Sequence, residues 1–423
     1  MKKRLLLAGA ALLLSSLTWA QKPDFKAELR ADTLRTYGGD YPYPERVHAL
    51  TPAPKGYKPF YISHYGRHGS RYYWGPGLYH RLDTILIEAH EKGALNQAGE
   101  KFYAKYMEIY PELVHGWGEL TPLGYEQHER IARTMYKTYP DIFGKGGHVS
   151  ATASLSGRAV ISMAAFCQAL AGCNPELDIY QRSSRETLDI TAPDERENPY
   201  LKEYPEVEFP MDIREVFADL KPGRNVFVEE FFSDVSKMKR SPRAINADMF
   251  SFFTTLPSIG YVGIMGNPVN FDDLYAHWEE TNRNNYMYYW SAQNIVIPIV
   301  EDIIKRADDV IEGRSNDIAA LRFGHDSYLG PLNVLLGLDG ADKVPANPAD
   351  IGTVYQNYRT GMAGNIQLVF YRSSKSDEIL VKALLCGEEV TLPLPSDMHP
   401  YYRWSDFKSH FTAICDKVKS SMR

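Results

Sequence analysis

A mixed α/β fold is predicted by this 423-residue sequence on three observations. Short apolar runs at 60–63, 148–153 and 318–323 have the composition of buried strands. Stretches with apolar residues at helical spacing lie between them, as at 78–92 and 155–170. Strands that alternate with helices are typical of a largely parallel sheet with helices on its faces.

The other elements are expected in chain order. Residues 21–58 include four prolines within 42–54 and are expected to form mainly loops. Thr121 and Pro122 fit the cap and the first position of a helix. Further helices are expected at 102–114, 295–311, 328–338 and 404–419. Further strands are expected at 177–180, 366–371, 379–385 and 389–392, the last three antiparallel.

The stretch 182–285 differs from the rest of the chain. It is polar, rich in Tyr and Asn, and has no regular strand pattern. We therefore expect an inserted, mainly helical cap at 182–285, carried by an α/β domain made of 21–181 and 286–423.

Residues 1–20 have the pattern of a cleavable signal peptide. Basic residues at 2–4 precede a Leu- and Ala-rich run that ends at Leu17, and Ala20 stands before the expected cut. A buried N-terminal helix is the alternative. With cleavage, the protein is expected to be periplasmic or secreted, because no later stretch is long and apolar enough to cross a membrane.

The charge of the mature chain limits its partners. Loss of residues 1–20 removes three cations and no acid, which changes the net charge from −6 to −9. This balance argues against nucleic acid or an anionic membrane as the main partner. The oligomeric state stays open.

Four cysteines remain, and they allow three pairings. We favour a disulfide between Cys386 and Cys415, in which a C-terminal helix is tied to a strand. Cys167 and Cys173 either pair or stay reduced. Their spacing does not fit a zinc site, and no metal or other cofactor is expected.

The most informative stretch is the segment RHGSR at 67–71, which follows the first predicted strand. Arg67 and Arg71 carry fork-shaped donors suited to phosphate oxygens. His68 lies between them and can attack a phosphorus atom, and Gly69 leaves room for the backbone to approach an anion. A basic surface loop is the alternative, because short motifs also arise by chance.

Two further strand ends are followed by polar residues. The strand at 318–323 leads into His325 and Asp326, and the strand at 148–153 leads towards Arg158 on the next helix. In an open α/β sheet, functional residues gather beyond the carboxyl ends of the strands. Taken alone, Asp326 also fits a helix N-terminus, and Arg158 fits a solvated helix surface.

Together these side chains are sufficient for phosphoryl transfer without a metal. His68 would attack the phosphorus atom and form a phosphohistidine. Asp326 would protonate the leaving alkoxide and then help to deprotonate the attacking water. The phosphate itself would be bound by a set of four donor side chains, Arg67, Arg71, Arg158 and His325.

At these residues the chain resembles the histidine phosphatases, in the branch of the histidine acid phosphatases and phytases. The matching segments are, in the family's order, RHGSR at 67–71, LTPLG at 120–124, ATAS at 151–154, GHD at 324–326 and MAGNIQ at 362–367. The resemblance implies a phosphoglycerate-mutase-like, three-layer α/β domain with an inserted helical cap. It also implies His68 as the nucleophile, Asp326 as the proton donor, and Arg67, Arg71, Arg158 and His325 as the phosphate ligands.

The chain departs from the family pattern in three places. Tyr73 stands where the family often has proline, which affects the wall of the pocket more than the chemistry. His325, Asp326 and Ser327 stand where the inositol polyphosphate subgroup has His-Ala-Glu. This second departure argues against a specific inositol polyphosphate assignment and leaves a phytase open. The third is the stretch 182–285, which does not align with the family and is expected to shape substrate choice.

We therefore expect an exported phosphomonoesterase of the histidine acid phosphatase class. Its expected partner is a small phosphate ester, such as phytate or another organic phosphate. A phosphoryl transferase or mutase of the same superfamily is one alternative, and a binding protein that holds phosphate ligands without reaction is another. A multiply charged substrate would need further cations, for which Arg81 and the cluster at 237–243 are candidates.

Overall fold

An eight-stranded sheet lies at the centre of the computed structural model, which describes residues 25–44, 48–193, 206–221 and 223–420. Its strands are β1 (Tyr57–Arg67), β2 (Gly147–Ala153), β3 (Leu177–Ser183), β4 (Asp317–Gly324), β5 (Asn365–Ser373), β6 (Ser376–Leu385), β7 (Glu388–Glu389) and β8 (Tyr402–Arg403). They are ordered β3-β2-β4-β1-β5-β6-β7 across the sheet, and β8 pairs with β6.

The first four strands form the parallel half of the sheet. Strand β4 lies between β1 and β2 and pairs in parallel with both, and β2 also pairs in parallel with β3. Strands β5 and β6 are antiparallel, as predicted. Because β1 to β4 run in the same direction, their carboxyl ends reach the same edge of the sheet.

Helices occupy much of the remaining described chain. The α-helices are α1 (Phe25–Ala31), α2 (Gly77–Glu91), α3 (Gln97–Gly116), α4 (Pro122–Thr138), α5 (Pro140–Phe143), α6 (Gly157–Cys173), α7 (Ile213–Val216), α8 (Val226–Phe231), α9 (Pro242–Ile259), α10 (Phe271–Ser291), α11 (Ile297–Ile311), α12 (Asp326–Leu335) and α13 (Trp404–Ser420). Short 3₁₀ segments lie at Thr33–Asp40, Arg185–Ile190, Val235–Lys237, Gln293–Val296, Leu338–Gly340, Pro348–Thr353 and Asn357–Thr360. The Thr121 side chain accepts a hydrogen bond from the Gly124 amide and so caps α4, as predicted.

Helices cover both faces of the sheet. On one face, α4 and α6 pack against a layer that includes Ile62 and Leu321. On the other face, α11, α12 and α13 pack against a layer that includes Tyr61 and Phe370. Tyr61 and Ile62 point to opposite faces because side chains alternate along a strand. The three-layer α/β fold class is therefore confirmed.

A separate apolar cluster joins α2 and α3 to α8 and α9. Its buried members include Leu82, Tyr106, Phe231 and Phe252. The rings of Phe102 and Phe231 stack with their centroids 5.0 Å apart. Two helices that precede the predicted cap thus pack with two helices inside it, while the domain boundaries at 182 and 285 stay a prediction.

The expectation that 21–58 consists mainly of loops needs a correction. Helix α1 and the 3₁₀ segment Thr33–Asp40 lie in this stretch. Leu29 of α1 is buried in an apolar cluster with Trp278 and Tyr358, which come from distant parts of the chain. The prolines bear only on the later part of the stretch, so they did not indicate these helices.

The predicted disulfide between Cys386 and Cys415 is not formed, since all four cysteines carry free thiols. Cys386 lies in the turn after β6, where its thiol donates a hydrogen bond to the Arg359 carbonyl oxygen at 3.1 Å. Cys415 is buried among the apolar side chains between α13 and the sheet. The two thiols therefore lie in different surroundings. The positions of the two cysteines in the sequence could not show whether they are close enough in space for a disulfide.

The predicted signal peptide at 1–20 lies outside the described residues. Among the helices that the structure does describe, none is both long and apolar enough to cross a bilayer.

Candidate active site

Three parallel strands end side by side at one edge of the sheet. Arg67, at the end of β1, is level with Gly324 of β4. Ala153, at the end of β2, is level with Phe323 of β4. The predicted site residues follow these strand ends, at the edge where open α/β sheets place their ligands.

The loop after β1 is fixed by backbone hydrogen bonds to three other segments. The His68 amide donates to the Gly324 carbonyl oxygen at 3.0 Å, and the Ala363 amide donates to the His68 carbonyl oxygen at 2.9 Å. The Thr121 amide donates to the Ser70 carbonyl oxygen at 2.9 Å. The segments recognised at 120–124, 324–326 and 362–367 are therefore brought to the same loop.

Gly69 packs against the start of α4. A Cβ atom at Gly69 would lie 2.3 Å from the Gly124 carbonyl oxygen, and one at Gly124 would lie 2.2 Å from the Ser70 carbonyl oxygen. Both positions need glycine because the two backbones approach so closely. Gly69 thus makes room for α4, and its role beside a bound anion stays a prediction.

Arg67 is 1% exposed, and its guanidinium is oriented by three partners. Its Nη1 donates to the Gly39 carbonyl oxygen at 2.6 Å and to the Thr360 carbonyl oxygen at 3.1 Å. Its Nη2 lies 3.3 Å from Oδ2 of Asp326. These partners come from both ends of the chain and fix the direction of the cation.

The His68 ring is oriented by its own loop. Its Nδ1 lies 2.9 Å from the Gly69 carbonyl oxygen. A carbonyl oxygen only accepts, so Nδ1 carries the proton of this hydrogen bond and Nε2 keeps its lone pair. Burial, followed by the charges of Arg67 and Arg71, holds the pKa of His68 well below its usual range. The imidazole is therefore neutral, as a nucleophile must be.

His325 lies beside His68, with the two ring centroids 5.4 Å apart. Its Nε2 is 2.9 Å from Oγ of Ser154, and its Nδ1 is 3.5 Å from Nη2 of Arg158. The Arg158 charge also contributes to the low pKa of His68. Helix α6, which follows β2, thus places Arg158 next to the two histidines.

Arg71 completes the group of cations. It is buried, and its Nη1 donates to the Tyr72 carbonyl oxygen at 3.0 Å. Burial, together with the charge of Arg67, lowers the pKa of Arg71 to about 10, although Asp40 and Asp326 oppose this effect. The guanidinium stays charged at neutral pH.

Asp326 is the first residue of α12. Burial alone would raise the pKa of its carboxyl group, but the charges of Arg67 and Arg71 outweigh burial and hold the pKa below its usual range. The carboxylate is therefore ionised at neutral pH. It lies where a helix N-terminus also favours negative charge.

The structure thus brings all six predicted site residues together, while their chemical roles stay predictions. A neutral imidazole lies among cationic donors, with one carboxylate beside them. This arrangement can bind a tetrahedral dianion and accept its phosphoryl group. The six residues are Arg67, His68, Arg71, Arg158, His325 and Asp326.

The sequence analysis did not identify the side chains that hold Ser70 of the loop after β1. The Ser70 amide donates to Oε1 of Gln127 at 2.9 Å, and Nε2 of Gln127 donates to the Ser70 hydroxyl at 3.0 Å. The Ser258 hydroxyl of α9 lies 3.2 Å from the same hydroxyl. Gln127 is three residues after Gly124 on α4, a spacing that could have indicated it. Ser258 is 188 residues from Ser70, and no local pattern indicated it.

Tyr73, which stands where the family often has proline, has a backbone role. Its amide donates to the Tyr79 hydroxyl at 2.8 Å, a bond that proline cannot make. Its ring packs against the helical cluster of α2 and α9. The departure therefore changes how the loop is tied to α2.

The additional cations considered for a multiply charged substrate are engaged elsewhere. Nη2 of Arg81 and Nη2 of Arg240 lie 3.1 Å and 2.7 Å from the Asp248 carboxylate. Lys237 donates to the Gly93 carbonyl oxygen at 2.9 Å. Within the described chain, no hydrogen bond or ion pair joins these cations to a predicted site residue. The same part of the chain has no group of three His, Cys, Asp or Glu side chains placed to hold a metal ion.

Comparison with known proteins gives one family match. Residues 66–205 match the family model of the histidine phosphatase superfamily (branch 2). The matched region includes the loop after β1, α4 and the helix that carries Arg158. No curated protein matches the chain.

Solved structures with a similar fold include phosphatases from several organisms. The multiple inositol polyphosphate phosphatase of Bifidobacterium longum, in complex with inositol hexasulfate, has a TM-score of 0.70 at 17% identity, over 90% of this chain and 98% of that chain. The phytase from D. castellii has a TM-score of 0.67 at 13% identity, over 90% and 85% of the two chains. The Hafnia alvei phytase in complex with myo-inositol hexakis sulphate has a TM-score of 0.54 at 13% identity, over 87% and 99%. At these identities the likeness shows the fold.

The fold is that of the solved phosphatases named above. Residues 66–205, about a third of the chain, match the histidine phosphatase superfamily (branch 2), which confirms the resemblance and the histidine acid phosphatase class expected from the sequence.

Proposed function

We propose that this protein is an exported phosphomonoesterase that hydrolyses phosphate esters through a phosphohistidine at His68. One observation carries the proposal: the His68 imidazole is neutral, presents Nε2 as its reactive atom and lies among three arginines and a second histidine. Such a group of cations stabilises the charge that spreads over a phosphoryl group in transfer.

In the first step, the Nε2 lone pair of His68 forms a bond to phosphorus as the ester P–O bond breaks. The departing alkoxide takes a proton from Asp326 and leaves as an alcohol. In the second step, a water molecule attacks the phosphohistidine, the P–N bond breaks and the Asp326 carboxylate takes the proton of the water. Inorganic phosphate leaves and His68 is neutral again.

Asp326 must be protonated for the first step, although Arg67 and Arg71 keep its pKa low. A phosphate dianion bound to these arginines would offset their charge and place negative charge near the carboxylate. Both effects raise the pKa of a carboxyl group. The substrate would thus bring the acid into its reactive form.

The substrates proposed are phytate or other organic phosphates. The fold neighbours named phytases and the neighbour bound to inositol hexasulfate support this class, since all share this architecture. Export rests on the pattern of basic and apolar residues at 1–20, which makes the protein periplasmic or secreted.

The test is phosphate release from p-nitrophenyl phosphate and from glycerol 2-phosphate, which differ in leaving group. We expect His68→Ala to lower kcat at least about a thousandfold on both, since the attacking atom is lost. We expect Asp326→Asn to slow glycerol 2-phosphate far more, because an alkoxide needs the proton and a nitrophenolate does not.

His48→Ala, at a side chain that is 80% exposed, is the matched control and is expected to keep full activity. Undiminished turnover by folded His68→Ala protein would refute the nucleophile assignment.

A further inference from the structure

One peptide group links the candidate nucleophile to helix α4. The peptide bond between Gly69 and Ser70 is trans, so its carbonyl oxygen and its N–H point in opposite directions. The Gly69 carbonyl oxygen lies 2.9 Å from Nδ1 of His68, and the Ser70 amide donates to Oε1 of Gln127 at 2.9 Å. His68 and Gln127 therefore contact the two ends of the same peptide group.

The Gln127 side chain can make its contacts in one orientation only. The Ser70 amide is a donor, so the Gln127 oxygen must face it, and the Gln127 nitrogen then donates to the Ser70 hydroxyl at 3.0 Å. The Ser258 hydroxyl lies 3.2 Å from the same Ser70 hydroxyl. All three side chains are buried, so bulk water is not at hand to replace a hydrogen bond that is lost.

The peptide groups on either side are held by other partners. The Gly69 amide donates to the Ser162 hydroxyl of α6 at 3.1 Å, and the Ser70 carbonyl oxygen accepts from the Thr121 hydroxyl at 3.0 Å. Removal of the Gln127 amide would therefore release the peptide group between them, whose carbonyl oxygen faces the imidazole ring.

The direction of this carbonyl oxygen bears on the chemistry of His68. While it accepts from Nδ1, the proton stays on Nδ1 and the lone pair stays on Nε2. As Nε2 forms its bond to phosphorus, the ring gains positive charge, and Nδ1–H becomes a stronger donor to the same oxygen. The proton remains on Nδ1 throughout this step. A contact that strengthens in the transition state raises kcat more than it raises affinity.

Building on the proposed phosphatase activity, we propose that Gln127 is a positioning residue of the reaction. By accepting from the Ser70 amide, it holds the Gly69 carbonyl oxygen against Nδ1 of His68 and so keeps Nε2 free for attack. The two hydrogen bonds are joined through one peptide group, and each strengthens the other by polarisation.

The tautomer of His68 can be observed without turnover. In protein with isotopically labelled histidine rings, nitrogen NMR distinguishes a protonated from an unprotonated ring nitrogen, and the His68 signals are those that are missing from His68→Gln. We expect the wild-type ring to be protonated at Nδ1 alone. Gln127→Met keeps the length of the side chain and removes its polar atoms, so we expect a mixture of the two tautomers.

Turnover of p-nitrophenyl phosphate gives the second measurement. Gln127→Met is expected to lower kcat about tenfold, the size expected for one hydrogen bond, and to leave KM within about threefold of the wild-type value. Gln127→Glu offers the Ser70 amide an acceptor whether its carboxyl group is ionised or protonated. It is expected to restore the single tautomer and to bring kcat back to within about threefold of wild type.

Gln168→Met is the matched control. It removes a hydrogen bond between α4 and α6 at an exposed position, where the Tyr125 hydroxyl donates to Oε1 of Gln168 at 2.7 Å. This variant is expected to keep the wild-type kcat and the wild-type tautomer of His68.

An unchanged His68 tautomer in folded Gln127→Met protein, or a kcat within about twofold of wild type, overturns the proposal. If Gln127→Met does not fold, Gln127→Asn decides by the same criteria, because its amide is one methylene shorter and cannot reach Ser70 in the same geometry. Wild-type protein that releases no phosphate from p-nitrophenyl phosphate refutes the proposed function itself. An active wild type with an unaffected Gln127→Met variant refutes the role of Gln127 alone.

Discussion

The side chain of His68 is set in place by atoms that belong to its neighbours in the sequence. The Gly69 carbonyl oxygen decides which nitrogen carries the proton, and the adjacent arginines keep the ring neutral. Gly69 itself contacts the Gly124 backbone so closely that no side chain fits. The orientation of the reactive nitrogen therefore depends on the position of α4.

Gly69→Ala tests this dependence. The new Cβ would lie 2.3 Å from the Gly124 carbonyl oxygen, so the loop or α4 must move. We expect a loss of about 3 kcal/mol in the free energy of unfolding, at the upper end for overpacking, and loss of activity. Urea unfolding and turnover of p-nitrophenyl phosphate measure the two effects.

Gly75→Ala is the matched control, because a Cβ there meets no atom within 4 Å. It is expected to keep wild-type stability and activity. If Gly69→Ala were as stable and active as Gly75→Ala, the close contact with α4 would not constrain the loop.

The six site residues could be predicted from the sequence because each stands in a short segment with its own pattern. Arg67 ends a strand, His68 and Arg71 follow it, Arg158 lies in the first turn of a helix, and Asp326 begins another helix. Ser258 could not be predicted in this way, because its contact with the Ser70 hydroxyl arises from packing between segments that are distant in the sequence.

Two buried histidines lie at the junction of β1 and α4. His64 on β1 and His128 on α4 both pack against the ring of Phe323, at centroid distances of 5.3 Å and 5.7 Å. Burial lowers the pKa of each to about 3. Both are therefore neutral in the folded protein over the whole ordinary pH range.

These histidines make the folded state sensitive to acid. Unfolded histidines titrate near 6.5 and the folded ones near 3, so the unfolded chain binds more protons between these values. Stability is therefore lost as the pH falls from 6.5 towards 3. At pH 4 each histidine lowers the free energy of unfolding by roughly 3 kcal/mol relative to neutral pH.

His128→Leu removes one titrating group and keeps a similar volume. We expect this variant to lose about 3 kcal/mol less than wild type between pH 7 and pH 4 in urea unfolding. His48→Gln, at an exposed histidine, is expected to follow the wild-type curve. Parallel curves for His128→Leu and wild type would show that His128 does not titrate on unfolding.

The helical part of the molecule is shared between two distant stretches of the chain. Helices α2 and α3 come before the predicted cap, α8 and α9 lie within it, and all four enclose one apolar cluster. The sequence indicated helices in both stretches, but it carried no signal for their contact. Periodicity reports which face of a helix is buried and leaves open what covers it.

Phe252 lies at the centre of this cluster, with its ring 5.5 Å from Tyr106 and 6.4 Å from Phe102. Phe252→Ala is expected to lower the free energy of unfolding by about 3–5 kcal/mol, because it leaves a cavity between the two stretches. Activity is expected to fall as well, since the same helix holds Ser258 against Ser70 in the loop that carries His68.

Ile213→Ala, at a side chain that is 59% exposed, serves as the control and is expected to cost less than about 0.5 kcal/mol. Urea unfolding of both variants gives the comparison. A loss below about 1 kcal/mol for Phe252→Ala would mean that packing between the two stretches contributes little to the free energy of unfolding.

The guanidinium of Arg67 is held by the carbonyl oxygens of Gly39 and Thr360, which stand near opposite termini. A chain shortened before Thr360 would keep the Gly39 and Asp326 partners of Arg67 and lose the third. The full orientation of this cation therefore requires segments that are about 320 residues apart in the sequence.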